Sequence, residues 1–540
     1  MQTTTQIIIV GGGTAGWLTA ARVAAARDDV SVTVVESPDV PTVGVGEGTW
    51  PTMRTTLQSI GLSERDVLKH CDASFKQGTL FRGWRDGSPE DQYLHPFSLP
   101  PEYSVTNVAD FWRRGILKGD FSEAVTPQSA LAVTGKAPKT LDTPDYAFAV
   151  NYGYHFDAVK FANLLREHCT QKLAVTHIPD HVQDVALDQD GFIAAVSLKE
   201  QGDLAGDFFV DCTGHRALLL AGELGGEYVS VRDVLPNNRA VVVQVPYASQ
   251  DDEIFSCTQS TARDCGWIWD IGLQSRRGVG YVHDGDSVSE DEASATLLDY
   301  VAQTASSETA AKLQPRTLNF EPGYRPTPWI NNCVAVGLSA GFIEPLEASA
   351  LAMIEQAASF LVDNFPVNRA LMAPVSRAFN AKMKEHWDSI QEFLKLHYVL
   401  TERRDTDYWR RASDPKGTPE ALKDKMALWQ LRAPWHVDAP RVDALFPAAS
   451  YQYVWLGMNG HRMATSGDTA PKVSPQAMQN LDRSLHDIRE KTRRLSQAMP
   501  GNRALLNALT SAQPTAKIIV KMRGTSWPSC ATILGWLSAA

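Results

Sequence analysis

Apolar positions fall along this chain in three rhythms, and each predicts a different kind of element. Near the N-terminus, Ile7 to Val10 is an unbroken apolar run, the pattern of a strand covered on both faces, and Val30 to Val35 repeats it. Between them, Gly11-Gly12-Gly13-Thr14-Ala15-Gly16 reads as a tight turn and Trp17 to Ala26 as a helix. From roughly Ala240 to Val282 the pattern is one of strands, with Gln274 to Gly278 as a turn. Within it, "CGWIWDIGL" (Cys265 to Leu273) places Trp267, Trp269 and Ile271 on one face of an extended chain, with Ile268 and Asp270 on the other. From Asn364 the period becomes helical: Phe379, Met383, Trp387, Ile390, Phe393 and Leu394 recur at three- and four-residue steps. The prediction is an α/β chain whose C-terminal part is mostly helical. There are no internal repeats, and residues 516–540 lack a clear period.

Composition narrows the classes. At 540 residues and 44% hydrophobic, the chain is long enough for two or more packed units, and 21% charged residues is ordinary for a globular protein. A formal charge of −11 argues against a sequence-independent grip on nucleic acid or on an anionic membrane. Cys71, Cys169, Cys212, Cys257, Cys265, Cys333 and Cys530 are scattered without CxxC spacing, which suits reduced thiols better than disulfides or a metal framework. No apolar run is long enough to span a bilayer and no basic segment precedes the first strand, so the expectation is a cytoplasmic protein.

The candidate chemistry begins at the glycine turn. Gly11, Gly13 and Gly16 fit G-x-G-x-x-G, where missing side chains let backbone approach a pyrophosphate at the positive end of a helix. Glu36 ends the second strand, where an acid accepts hydrogen bonds from an adenosine ribose. Two later segments, Phe208 to Leu219 and Asn332 to Val362, again read as strand and small-residue turn, the second followed by a long helix. Flavoprotein monooxygenases return to FAD in this way from distant parts of the chain.

The motifs "GGGTAGW", "VGVGEGTWP", "FKQGTLFRGW", "YHFDA", "CGWIWDIGL", "NNCVAVGLSAGFIEPLEAS" and "HYVLTERRDTDYW", in this order, resemble those of flavin-dependent halogenases of the tryptophan-halogenase-like group. The resemblance runs from about residue 6 to about 510. It implies an FAD-binding, Rossmann-like fold of the GR2-type flavoprotein monooxygenases, with a β-sheet substrate layer. The implied division is a flavin-binding box over 1–362 that includes the strand-rich 240–285, a helical substrate-covering module over 363–515, and a tail over 516–540. It also implies an enzyme that uses reduced FAD (FADH2), oxygen and a halide co-substrate, bromide or chloride, to make hypohalous acid, which crosses to a separate aromatic site.

Residue by residue, the resemblance carries over as follows. Lys76 matches the lysine that polarises hypohalous acid or, deprotonated, forms a haloamine. Glu347 matches the carboxylate that stabilises the cationic ring intermediate and takes its proton. The cofactor set is Gly11, Gly13, Thr14, Ala15, Gly16, Glu36, Val45, Gly46, Val182, Leu338 and Leu351, and the backbone N–H groups of Ser349 and Ala350 match the halide site. His95, Phe97 and Phe446 fall at substrate positions. Trp267 and Trp269 match the wall proposed to keep the organic substrate from the flavin. No metal is implied.

Three departures stand out. Gly272 replaces the family's proline, and is expected to be a flexible position. Ala350 replaces a glycine. Leu445-Phe446-Pro447-Ala448 replaces the region that closes over free tryptophan, which favours indole or a substituted indole as substrate, with the phenol- and pyrrole-specific relatives as alternatives. No second dinucleotide fingerprint is present, so a separate NAD(P)H-dependent flavin reductase is the expected electron source, and a homodimer is the family-level expectation. A flavin-dependent aromatic hydroxylase and an inactive flavin-binding homologue are the competing readings.

Overall fold

A strand that is apolar along its whole length needs cover on both faces, and Thr5–Val10 receives it at the centre of a six-stranded sheet. A computed structural model of the chain describes residues 4–40, 44, 46–439, 443–459 and 474–511; Val45, Cys530 and residues 516–540 lie outside the described residues. The sheet runs Trp329–Ile330, Cys333–Ala335, Phe208–Asp211, Thr5–Val10, Val30–Glu36, Thr176–Pro179. Its pairings are parallel except at the Trp329–Ile330 edge. Distant chain segments thus build one Rossmann-like layer. The helix Thr14–Ala26 covers one face, with Ala158–Lys172 and Ser349–Asn364 packed on it. On the other face Ile8, Val10, Val35 and Phe209 join Val185 and Val196 in a separate core.

The central segment forms a seven-stranded sheet: Arg316–Asn319, Arg239–Pro246, Arg276–His283, Gly266–Gly272, Thr258–Arg263, Gly78–Arg82, Gln92–Pro96. Period two holds in Gly266–Gly272. Trp267, Trp269 and Ile271 enter the main core, while Ile268 enters a different one with Leu297 and Val301 of the helix Glu290–Thr304. Asp270, on that second face, pairs with Arg277 and accepts the Tyr300 hydroxyl at 3.0 Å. A third, three-stranded sheet joins Gly46–Gly48, Gly153–Asp157 and Ser74–Lys76. Beyond Phe342 every described helix or strand is a helix, the longest being Arg369–Val399, which buries Phe379, Met383, Trp387, Ile390, Phe393 and Leu394.

Three local expectations change. The first helix starts at Thr14, not Trp17. The expected turn Gln274 to Gly278 is shorter, because Arg276 and Arg277 already belong to a strand, held by Asp157 (2.8 Å) and Asp270. Gly272 is buried in its strand, opposite Arg277, and its carbonyl accepts from the Ser74 hydroxyl. A Cβ there would come within 2.7 Å of Ile254 Cγ2 and 3.0 Å of Tyr247 Oη. Gly272 therefore makes room for packing and is not a hinge.

Candidate functional site

The glycine turn is shaped by contacts that exclude side chains. Gly11 has φ +113°, and a Cβ on it would lie 2.2 Å from the Cys212 carbonyl oxygen. One on Gly16 would lie 1.9 Å from the Gly11 oxygen. Gly13 differs, since a Cβ on it would meet nothing within 4 Å. It precedes Thr14 and Ala15, and no side-chain cap competes with a ligand for the first N–H groups of the helix. Gly337, at φ +75°, lets the turn that carries Leu338 rest on this helix start, where a Cβ would lie 2.7 Å from that of Ala15. Glu36 closes the other end, with His177 Nε2 at 2.9 Å and Arg166 at 4.0 Å. The Asp180 N–H donates to the Glu36 carbonyl at 3.1 Å, which brings Val182 to the same end. A side-chain-free cradle at a helix start, with a carboxylate at the neighbouring strand end, fits FAD.

Lys76 ends the strand Ser74–Lys76, between the buried Phe75 and Gln77. Burial lowers its pKa to about 8, with Glu347 opposing the shift. Phe97 lies beneath it, 5.6 Å from Nζ to ring centre. Gly48, in the short strand Gly46–Gly48 that forms a strap within VGVGEGTWP, stands between the lysine and the turn at Glu347: a Cβ on Gly48 would come within 3.0 Å of Lys76 Nζ and 3.3 Å of Ala348 Cβ.

The turn carrying Glu347 is strained, with φ +64° at Glu347 and +55° at Ala348, two left-handed residues in succession and neither a glycine. The Trp50 indole N–H donates to the Glu347 carbonyl at 2.8 Å, and the Ala348 N–H to Pro345 at 3.0 Å. The helix Ser349–Asn364 begins directly after this turn, with no side-chain cap over the N–H groups of Ser349 and Ala350. Leu351 is buried in its first turn. Burial opposes ionisation of Glu347, but His95 and His397 outweigh it and hold the carboxyl well below its usual range.

At the expected substrate positions, His95 is buried with Nδ1 at 2.7 Å from Glu347 and Nε2 at 2.9 Å from the Ser450 hydroxyl. Phe446 stacks on Phe393 at 3.9 Å and meets Trp50 edge-on at 5.1 Å. Trp267 and Trp269 lie 6.4 Å apart and link two regions. Trp269 borders a cavity of about 540 Å³ under the strap, with Gly44, Gly46, Val242 and Arg276. Trp267 neighbours Trp84, which neighbours His397 at 6.0 Å. The ring of Trp269 packs on Gly280, where a Cβ would come within 2.1 Å of it.

Sequence reasoning missed Trp50, Gly280, His397 and Ser450. Trp50 and His397 stand inside motifs that it quoted, but nothing in their spacing points to Glu347. It also left out a second buried carboxyl, Glu344, which accepts from Tyr398 at 2.6 Å and from Asn237; burial raises its pKa to about 7.

The family model described as tryptophan halogenase matches residues 6–472. The 7-chloro-L-tryptophan 6-halogenase KtzR of Kutzneria sp. is 35% identical over 92% of this chain and 98% of its own. The crystal structure of a tryptophan halogenase from Shewanella frigidimarina superposes with a TM-score of 0.89 at 45% identity, covering 94% of this chain and 98% of that one. BrvH, a flavin-dependent halogenase from Brevundimonas sp., superposes at 0.80 with 30% identity over 94% of this chain and all (100%) of that one. With the family matched over most of its length and the cradle fitting a flavin, the chain belongs to the tryptophan halogenase family of flavin-dependent oxidoreductases.

Proposed function

We propose that this protein halogenates an electron-rich aromatic ring, of the indole class, by electrophilic substitution. The observation that carries the reading is a buried lysine coupled electrostatically to a buried carboxylate, with Gly48 between the lysine and the turn that carries Glu347, in a chain that also buries the paired Trp267 and Trp269. Reduced FAD with oxygen supplies the oxidising equivalent that turns halide into hypohalous acid, and a separate NAD(P)H-dependent reductase supplies the reduced flavin. Ser349 and Ala350 hold the halide through backbone N–H groups at a helix start. The Lys76 ammonium donates to hypohalous acid and makes its halogen more electrophilic. The halogen passes to a ring carbon, and the displaced hydroxyl leaves as water once protonated. Glu347 stabilises the cationic ring and receives the ring proton, which restores aromaticity.

Phe446 packs between Phe393 and Trp50, and the Leu445-Phe446-Pro447-Ala448 segment that carries it departs from the region that closes over free tryptophan, which supports indole over free tryptophan. The test is purified protein with reductase, NADH, FAD, oxygen and either bromide or chloride, assayed by mass spectrometry against indoles, tryptophan, phenols and pyrroles. Halogenated indole is expected, and its loss in Lys76→Ala with flavin binding retained. Hydroxylated product without halogen overturns the reading, and activity retained in Lys76→Ala overturns the role given to the lysine.

A further inference from the structure

The strand Arg276–His283 opens with two arginines on opposite faces, and they are matched unequally. Arg277 is well satisfied: Asp270 accepts from its Nε at 3.0 Å and from its Nη2, while Thr304 accepts from Nη1 at 3.3 Å and from Nη2 at 2.9 Å. Arg276 donates from Nη2 to Asp157 at 2.8 Å, but its Nη1 is buried and has no hydrogen-bond partner. Asp157 divides its charge, because it also accepts the Lys160 N–H at 3.0 Å as the cap of the helix Ala158–Lys172. Buried donors in native proteins are nearly all paired, so an open one on the border of a cavity points to an acceptor on a ligand. The cavity of about 540 Å³ has that character. Trp269 gives it an aromatic side and Val242 an apolar one, Gly46 of the strap borders it, and its charged lining residues are Arg276, Lys312 and Arg316, with no acid among the described residues. A Cβ on Gly278 would lie 3.5 Å from Arg276 Nη1 and 3.5 Å from the Gly46 nitrogen, so this glycine keeps the guanidinium and the strap backbone beside the same space. Lys312 is exposed and paired with Glu308 at 2.6 Å, which leaves Arg276 as the buried cation of the cavity.

We infer that this cavity receives the flavin ring and that Arg276 selects its reduced form. A basic, partly aromatic cavity in a chain of net charge −11 suits a planar aromatic group that carries negative charge. The oxidised ring is neutral; reduction adds two electrons and one proton, which leaves one negative charge on it. An arginine is always protonated in proteins, so its positive charge favours the reduced ring over the oxidised one. The preference has a use here. A separate reductase releases reduced flavin into a solution that also holds oxidised flavin, and the cation decides which of the two is retained.

The inference rests on the flavin reading of the chain, and the two fail separately. Oxidised FAD is titrated into wild type and Arg276→Gln by flavin fluorescence, and the midpoint potential of the bound flavin is read by anaerobic reductive titration against a reference dye. No halogenation is needed for either measurement. A wild type that binds no FAD overturns the flavin reading together with the inference. With FAD bound, Arg276→Gln is expected to hold the oxidised form within about threefold of wild type and to lose about tenfold of its preference for the reduced form, which for a two-electron couple is a midpoint about 30 mV lower. Arg276→Lys, which keeps the cation, is expected to stay within about twofold of the wild-type preference. Equal weakening of both redox forms, with the potential unmoved, overturns the selective role and leaves Arg276 a structural partner of Asp157. Asp157→Asn approaches from the other side and keeps the inference testable if Arg276→Gln does not fold, since asparagine still caps a helix. It removes the charge that Arg276 now faces, so the preference for reduced flavin is expected to rise at least twofold; an unchanged or lower preference overturns the proposal.

Discussion

Lys76 loses its water when Ser74–Lys76 pairs with Gly153–Asp157, and the lost hydration disfavours its charged form more than Glu347 restores it. With a pKa of about 8, the ammonium still outnumbers the amine about tenfold at pH 7. That balance favours a lysine that donates a hydrogen bond to hypohalous acid over one that forms a haloamine. The sign follows: a group that works as a cation and loses its proton near pH 8 gives a kcat that falls as pH rises through about 8. Arginine does not deprotonate in this range, so Lys76→Arg should show a lower kcat and no basic limb there. A rate that climbs through pH 8 in the wild type would favour the amine. The flanking Phe75, Leu80, Phe81 and Trp84 signalled this burial in the sequence, and all four are buried. Trp50 and His397 gave no such signal, because their partner atoms belong to Glu347, distant in sequence, and residue spacing does not encode a contact made by folding.

At the scale of the strand, period two was enough to place Trp267, Trp269 and Ile271 on one face, since a one-residue slip would have turned both indoles toward the helix Glu290–Thr304. The support of that wall was not legible. A glycine inside a strand reads as a weak point, yet Gly280 on the neighbouring strand is the seat of the Trp269 ring. Arg276 and Arg277 read as turn residues for the same reason: the carboxylates that hold them, Asp157 and Asp270, are supplied by other strands. Gly280→Ala follows as a probe of the element. Its Cβ would come within 2.1 Å of the indole, so the ring must leave its place, and such overpacking costs about 1–3 kcal/mol. A denaturant melt should show that loss, with a shift in tryptophan emission. An unchanged melt would mean that the wall has room its close packing does not suggest.

Across the whole molecule, the sequence motifs foretold a sheet assembled from segments hundreds of residues apart, because each segment carries its own strand and small-residue turn. The motifs could not foretell how the strap joins the two halves of the chemistry. Gly46–Gly48 pairs with Gly153–Asp157, which pairs with the strand of Lys76, and two residues beyond Gly48 the side chain of Trp50 reaches the Glu347 carbonyl. The flavin cradle is built on the first sheet's glycine turn, whose geometry separates two demands that usually coincide. Gly11 and Gly16 are glycines because the protein itself fills the space beside them; a Cβ on Gly13 would meet no protein atom within 4 Å. Gly13 is extended, with φ −75° and ψ −175°, a conformation that alanine adopts without strain. Gly13→Ala should therefore fold as the wild type does, with its flavin-free melt unchanged within about 0.5 kcal/mol, because it touches nothing. If the pyrophosphate of FAD rests against this backbone, the same methyl group should weaken FAD binding about tenfold or more, read by titration of flavin fluorescence. Wild-type affinity in Gly13→Ala would mean that the cofactor does not rest on this turn, whereas a lowered flavin-free melt would show that the glycine serves the fold instead of the ligand.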